Sequence, residues 1–311
     1  MTYLQSEIIN NVLHGDALAE LKKFPDKIVD CVVTSPPYWN LRDYESEGQL
    51  GLEPMFNEYV NKLSDIFSEV MRVLKDSGSV WINIGDTYFG STKVKTNTGD
   101  KFSGTDRIIL SKKCLTLVPY RFAIEMINRG WILRNNIIWH KPSVMPRPVK
   151  DRFNIDYENV FFFTKDDEYY FKQQFEKMLT KVNANASSEE GKYKNETLKI
   201  SSKSMSKYSQ KVENGEVTER IKRCVWTVNT SSDKSHHVAP FSEDLIRPMI
   251  DAGCPEGGLV LDMFMGTGTT ALVALKQGKK FVGIDVDERS VLYAKERIYA
   301  FQNQSTIFDL I

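Results

Sequence analysis

Leu259-Val260-Leu261-Asp262-Met263-Phe264-Met265-Gly266-Thr267-Gly268-Thr269-Thr270 is the stretch on which the fold turns. A short apolar run ends in an acid, two glycines let the backbone turn tightly, and two threonines open an apolar segment running to 277 at helical spacing. Free amides at the start of such a helix favour electron-rich ligand atoms. A glycine turn alone is weak evidence, but here a strand precedes it, a helix follows it, and Asp285 closes the next strand, Phe281 to Asp285. An acid in that place accepts hydrogen bonds from ribose hydroxyls. A three-glycine dinucleotide loop is only approximated by Gly266-Thr267-Gly268-Thr269-Thr270-Ala271, and Asp262 stands where it could engage an amino or ribose group. The stretch therefore reads as a nucleoside-cofactor loop.

Far upstream, Ile28 to Thr34 is a β-branched run ending in Thr34-Ser35-Pro36-Pro37-Tyr38. A proline pair cannot continue a central strand, so the strand delivers Ser35 to an edge of the sheet. An exocyclic amine on an aromatic base is a poor nucleophile because its lone pair is delocalised into the ring. Ser35 can accept one amine hydrogen and the Pro36 carbonyl, on a proline-restricted backbone, the other. Tyr38 offers a flat surface for stacking, and Trp39 is either a wall of the pocket or core. An ordinary strand-ending turn is the plainer reading of the motif; the cofactor loop argues against it. A base inside a duplex reaches such a pocket only by flipping out.

Between these motifs helices and strands alternate. Leu63, Ile66, Phe67, Val70 and Leu74 recur at helical spacing, Asp76 to Ser79 reads as a stop, and Val80 to Ile84 as a strand. A helix over 119–129 is followed by strands over 131–139 and 160–163. The expectation is an α/β, doubly wound, mostly parallel Rossmann-like sheet with a small inserted region. Residues 1–164 should form the catalytic part, 165–230 a target-recognition insertion, and 231–311 the cofactor part of the same domain.

The chain has 311 residues and no net charge, 41 basic against 41 acidic, so only local charge can suggest a polyanionic partner. Segment 89–113 has six basic and two acidic residues, and 192–223 has nine and four. Taken alone both are as readily solvated surface insertions. Between them lie Lys141, Arg147, Lys150 and Arg152. With Arg42, Lys203 and Lys207 these are the candidate contacts to nucleic acid. Cys31, Cys114, Cys224 and Cys254 are scattered without metal or disulfide spacing, which fits a reducing cytoplasm and no metal. No apolar run approaches the ~20 residues of a membrane helix.

These residues resemble the β class of amino-directed DNA methyltransferases, over nearly the whole chain apart from the two insertions. His14-Gly15-Asp16-Ala17-Leu18 is similar to the family's G-D-A-L segment, which implies Asp16 near the cofactor adenine. Thr34 to Tyr38 is similar to the catalytic motif, with Thr34 beside the cofactor. His236 to Ser242 resembles the motif around the methionine end, which points to His237 and Phe241, and Trp226 matches an aromatic preceding it. Asp262, Phe264, Gly266, Gly268, Thr269 and Thr270 resemble the cofactor loop, although Met263 replaces the usual proline, and Asp285 matches the ribose acid. The resemblance implies S-adenosyl-L-methionine as cofactor, double-stranded DNA as partner, and a restriction–modification context with a cognate endonuclease. Thr-Ser-Pro-Pro-Tyr resembles the N4-cytosine members, whereas Asp or Asn in the serine position usually goes with N6-adenine.

C5-cytosine chemistry is disfavoured because it needs a cysteine nucleophile, and Cys31 lies inside the strand before Ser35. Other readings are a methyltransferase of RNA or a small molecule, and a non-catalytic nucleic-acid-binding module of the same fold.

Overall fold

A computed structural model of the chain describes residues 2–41, 43, 48–90, 110–144, 148–177, 219–230 and 241–308. The elements in chain order are α1 (Gln5–Ile8), β1 (Asn11–His14), α2 (Ala17–Leu21), β2 (Val29–Thr34), α3 (Phe56–Val73), β3 (Leu74–Ile84), α4 (Val118–Asn128), β4 (Ile132–His140) and β5 (Tyr157–Thr164). They continue with β6 (Phe175–Lys177), β7 (Glu219–Ile221), β8 (Val225–Thr227), α5 (Glu243–Gly253), β9 (Leu259–Asp262), α6 (Thr269–Lys276), β10 (Lys280–Asp285) and α7 (Glu288–Phe308).

Eight strands form one sheet in the order β1-β10-β9-β2-β3-β5-β4-β8. The first five run parallel, β5 is antiparallel to both neighbours, and β8 is parallel to β4. Every residue of β2 is buried, as expected of a strand covered on both faces. Since β2 lies between β9 and β3, the edge to which it delivers Ser35 is the one made by the strands' carboxyl ends. Alternation along the strands separates two cores. Val32 and Leu261 face Leu63, Phe67 and Phe122 from α3 and α4; Cys31, Val33 and Val260 face Met249, Val273, Val291 and Ile298 from α5, α6 and α7. Helices on both faces make the sheet doubly wound, the expected class.

Two expectations need correction. Asp76 to Ser79 does not separate helix from strand: β3 begins at Leu74, directly after α3. The irregularity is absorbed in the ladder, where pairing jumps from Val29–Leu74 to Cys31–Ser79. The insertion is also narrower than 165–230. Residues 173–223 form one compact unit, and 1–172 with 224–311 the other. The reason is that β8 pairs with β4 and belongs to the large sheet, with Trp226 opposite Trp139. Within the smaller unit β6 and β7 form an antiparallel pair in which Glu176 accepts from Arg220 at 2.7 Å. Of the two basic segments, residues 91–109 and 178–218 lie outside the described residues. The first is rooted by mutual backbone bonds, Phe89 N to Cys114 O at 2.8 Å and Lys113 N to Phe89 O at 2.9 Å. Among the described residues no helix is long and apolar enough to cross a membrane.

Candidate active site

The winding direction reverses between β9 and β2. From β2 the chain crosses through α3 to β3 on one side; from β9 it crosses through α6 to β10 on the other. Open α/β sheets hold ligands at such a reversal, because the diverging connections leave a crevice. Here the two sequence motifs meet: the Thr34 hydroxyl donates to Asp262 Oδ1 at 2.6 Å across 228 residues of chain. Asp262 Oδ1 also accepts from Phe264 N at 3.0 Å, and Oδ2 from the Thr270 hydroxyl at 2.6 Å.

Three residues expected at the cofactor direct their side chains into the protein. Asp262, Thr34 and Thr270 are buried, and their polar atoms are turned on one another rather than towards an amino or ribose group. They clamp β2 to the glycine loop after β9. Burial pushes the Asp262 carboxyl up to about 6, against the pull of its three donors. Because the folded state then holds this proton more tightly than the unfolded chain, the associated stabilisation is present at low pH and is lost as pH rises through about 6. Relative to Asp262→Asn, the wild type is therefore expected to gain stability, on the order of 1 kcal/mol, as the pH falls from 7.5 to 5. Urea midpoints of both proteins at the two pH values measure this; a wild type that loses ground at pH 5 would show that the ionised form is the favoured one.

The loop after β9 keeps its shape through close approaches. Gly266 and Gly268 have φ of +52° and +83°, and a Cβ on Gly268 would lie 3.0 Å from the Ala294 Cβ on α7. Only glycine meets both demands at 268. Met263, where a proline was expected, is buried in the core. Met265 lies over Gly283 of β10, where a Cβ would come within 2.5 Å of its methyl carbon, and its amide donates to Ile284 O at 2.9 Å. Side-chain packing thus anchors this loop. Gly266 N donates to Asp285 Oδ2 at 2.7 Å, and Asp287 N to Oδ1 at 2.9 Å. His14 pairs with Asp285 in the ladder, which sets Gly15 and Asp16 beside it; Asp16 caps α2 through Ala19 N at 2.8 Å. Two acids, the glycine loop and half-buried Phe264 along one edge suit the hydroxyls and flat base of a nucleoside. Thr269 opens α6 and is buried.

On the other side of β2 the target motif is held from several directions. The Pro37 carbonyl accepts from the Tyr59 hydroxyl of α3 at 2.8 Å. The Tyr38 ring lies against Gly85, where any Cβ would come within 2.5 Å of Cε2. The Tyr38 hydroxyl donates to Glu158 Oε2 at 2.7 Å and has Asn83 Oδ1 at 3.1 Å. Asn83 Nδ2 donates to the same Glu158 oxygen at 3.1 Å, and Lys141 pairs with Oε1. Burial, and then the Glu158 charge, push the Tyr38 phenol well above its ordinary range, opposed by the Ser35 side chain. Ser35 itself is half-buried at the mouth of the strand.

Glu158 and Asn83 were not anticipated; their places on β5 and β3, and their bonds to the Tyr38 hydroxyl, reveal them, and no local motif marks them. Lys141 was expected on DNA, but its ammonium is committed to Glu158 and lies 4.1 Å from the Trp139 ring centroid. Trp39 is core: it packs edge-to-face on Phe56 and donates to Glu53 O at 2.9 Å. Asp86, also unforeseen, follows β3 and accepts from Leu117 N, Val118 N and the Thr116 hydroxyl, starting α4. Lys150 is exposed, Arg152 is half-buried, and Phe241 packs against the second core. Arg42, Arg147, Lys203, Lys207 and His237 lie outside the described residues.

Comparison with known proteins agrees with this geometry. A family profile of N6/N4 methyltransferases, described as DNA methylase, matches residues 29–296. Type II methyltransferase M.SmaI of Serratia marcescens is 35% identical over 294 residues, covering 92% of this chain and 90% of that protein. Type II methyltransferase M.XycI of Xanthomonas campestris pv. cyanopsidis is 34% identical over 305 residues, covering 96% and 90%. Among solved structures, the PvuII DNA methyltransferase (cytosine-N4-specific) superposes with a TM-score of 0.62 at 21% identity, over 94% of this chain and 91% of that one.

Proposed function

Since the chain belongs to the N6/N4 DNA methylase family, we propose that it methylates the exocyclic N4 amine of a cytosine flipped out of duplex DNA. The family uses S-adenosyl-L-methionine, which supplies an electrophilic methyl group on a sulfonium when bound. Asp285 would accept its ribose hydroxyls, Asp16 would lie near its base, and the Gly266–Gly268 loop with Phe264 would border it. Ser35 and the Pro36 carbonyl each accept one amine hydrogen, drawing the nitrogen towards tetrahedral geometry and freeing its lone pair. Tyr38 supports the base from the side, with its hydroxyl held by Glu158.

One observation carries the reading above the others. Thr34, tied to Asp262 at 2.6 Å, sets the next residue, Ser35, at the mouth of the crevice that the cofactor loop borders. The choice of cytosine rests on Ser35 standing where N6-adenine members usually carry Asp or Asn. We further read the chain as the modification partner of a restriction endonuclease in the cytoplasm, on the Type II names of its relatives. The test is incubation with labelled S-adenosyl-L-methionine and genomic DNA, followed by mass spectrometry of separated nucleosides. N4-methylcytosine is the expected product. N6-methyladenine would overturn the base assignment, and an absence of any methylated nucleoside would overturn the activity.

A further inference from the structure

We propose that Phe153 is the side chain that enters the duplex when the target base leaves it, filling the vacated stacking position. The inference rests on the DNA-methylating reading above. Phe153 is 94% exposed, the most exposed of the large apolar side chains among the described residues. Isolated exposed apolar residues are ordinary on protein surfaces. This one differs in the bracing of its loop and in where that loop lies.

The loop connects β4 to β5 and leaves the sheet at the carboxyl end of β4, the edge that carries Ser35. At its two roots stand Lys141 and Glu158, paired with each other, and Glu158 also accepts from the Tyr38 hydroxyl. On either side of Phe153 the chain is tied down. Asp151 pairs with Lys113. The Arg152 guanidinium lies 4.0 Å from the Tyr88 ring centroid and donates through Nη1 to the Phe153 carbonyl at 3.1 Å. Asp156 O accepts from Lys141 N at 2.7 Å, and its carboxylate lies 3.8 Å from His140 Nε2. The backbone at 153 is therefore held while its ring projects into solvent. Exposed Lys150 and half-buried Arg152 set cationic groups beside the ring that phosphates can meet, with Asp151 paired to Lys113 and Asp156 near His140.

Base extrusion leaves a gap that costs stacking energy in the duplex. An apolar wedge between base steps offsets that loss, and a pre-organised loop presents the wedge with little further ordering. A ring on a braced loop that leaves the sheet at the edge carrying Ser35 has the required chemistry.

The experiment compares wild type, Phe153→Ala and Phe153→Trp on two duplexes that contain a site methylated by the wild type. One is fully paired; in the other the base opposite the target is missing, so the target is already loosened. Phe153→Ala is expected to lose about tenfold or more in kcat/KM on the paired duplex and to approach the wild type on the loosened one, while Phe153→Trp retains activity on both. Equal losses on both duplexes would overturn the wedge in favour of a groove or folding role, and no loss on either would overturn it outright. Unchanged S-adenosyl-L-methionine affinity in the variants checks that they are folded. A wild type that methylates no DNA would remove the parent reading and this inference with it, a result distinct from any difference between variants.

Discussion

Ser35→Ala is expected to slow methyl transfer by about two to three orders of magnitude while leaving S-adenosyl-L-methionine affinity within about twofold. The serine hydroxyl is the side-chain acceptor available at the end of β2, and without it the amine keeps its lone pair in the ring. The cofactor side should be indifferent, because the clamp between β2 and β9 is made by Thr34 and not by its neighbour. Single-turnover methylation and equilibrium cofactor binding separate the two quantities. Loss of both together would place Ser35 in the fold or in the cofactor pocket and sink the amine-holding role.

Asp285→Ala is expected to weaken S-adenosyl-L-methionine binding by about 10- to 100-fold, with the rate at saturating cofactor much less affected. A hydrogen bond to a charged acceptor contributes about 1.5–3 kcal/mol, which corresponds to that range. The substitution also removes the acceptor of Gly266 N, so part of the loss comes from a loosened glycine loop. Titration calorimetry together with initial rates at varied cofactor concentration checks the split. A normal affinity with a depressed rate would move Asp285 out of the ribose site.

The parts of the site that were legible in sequence are those whose signal is local. Gly266 and Gly268 announce a turn because other residues resist positive φ, and β2 reads as a central strand because a run buried on both faces is apolar throughout. The inward orientation of Asp262 was not legible. An acid at the end of a strand can face a ligand or the protein, and the outcome depends on Thr34, a residue 228 positions away. Lys141 shows the same limit. Its charge suggested phosphate, but Glu158 on the neighbouring antiparallel strand takes it.

The alternation of strands and helices, the glycine loop and the proline-terminated strand β2 could be read from the sequence alone. Each of these follows from backbone restriction or from apolar periodicity over a few residues. The tertiary structure alone decided that β2 and β9 are neighbours, that Thr34 and Asp262 lock the two motifs into one crevice, and that Glu158 and Asn83 hold Tyr38. Trp39 became core, and Val225–Thr227 joined the main sheet, for the same reason. Strand order and register are set by how two cores pack against the sheet's opposite faces, and that packing is a property of the whole chain with no counterpart in any short stretch of it.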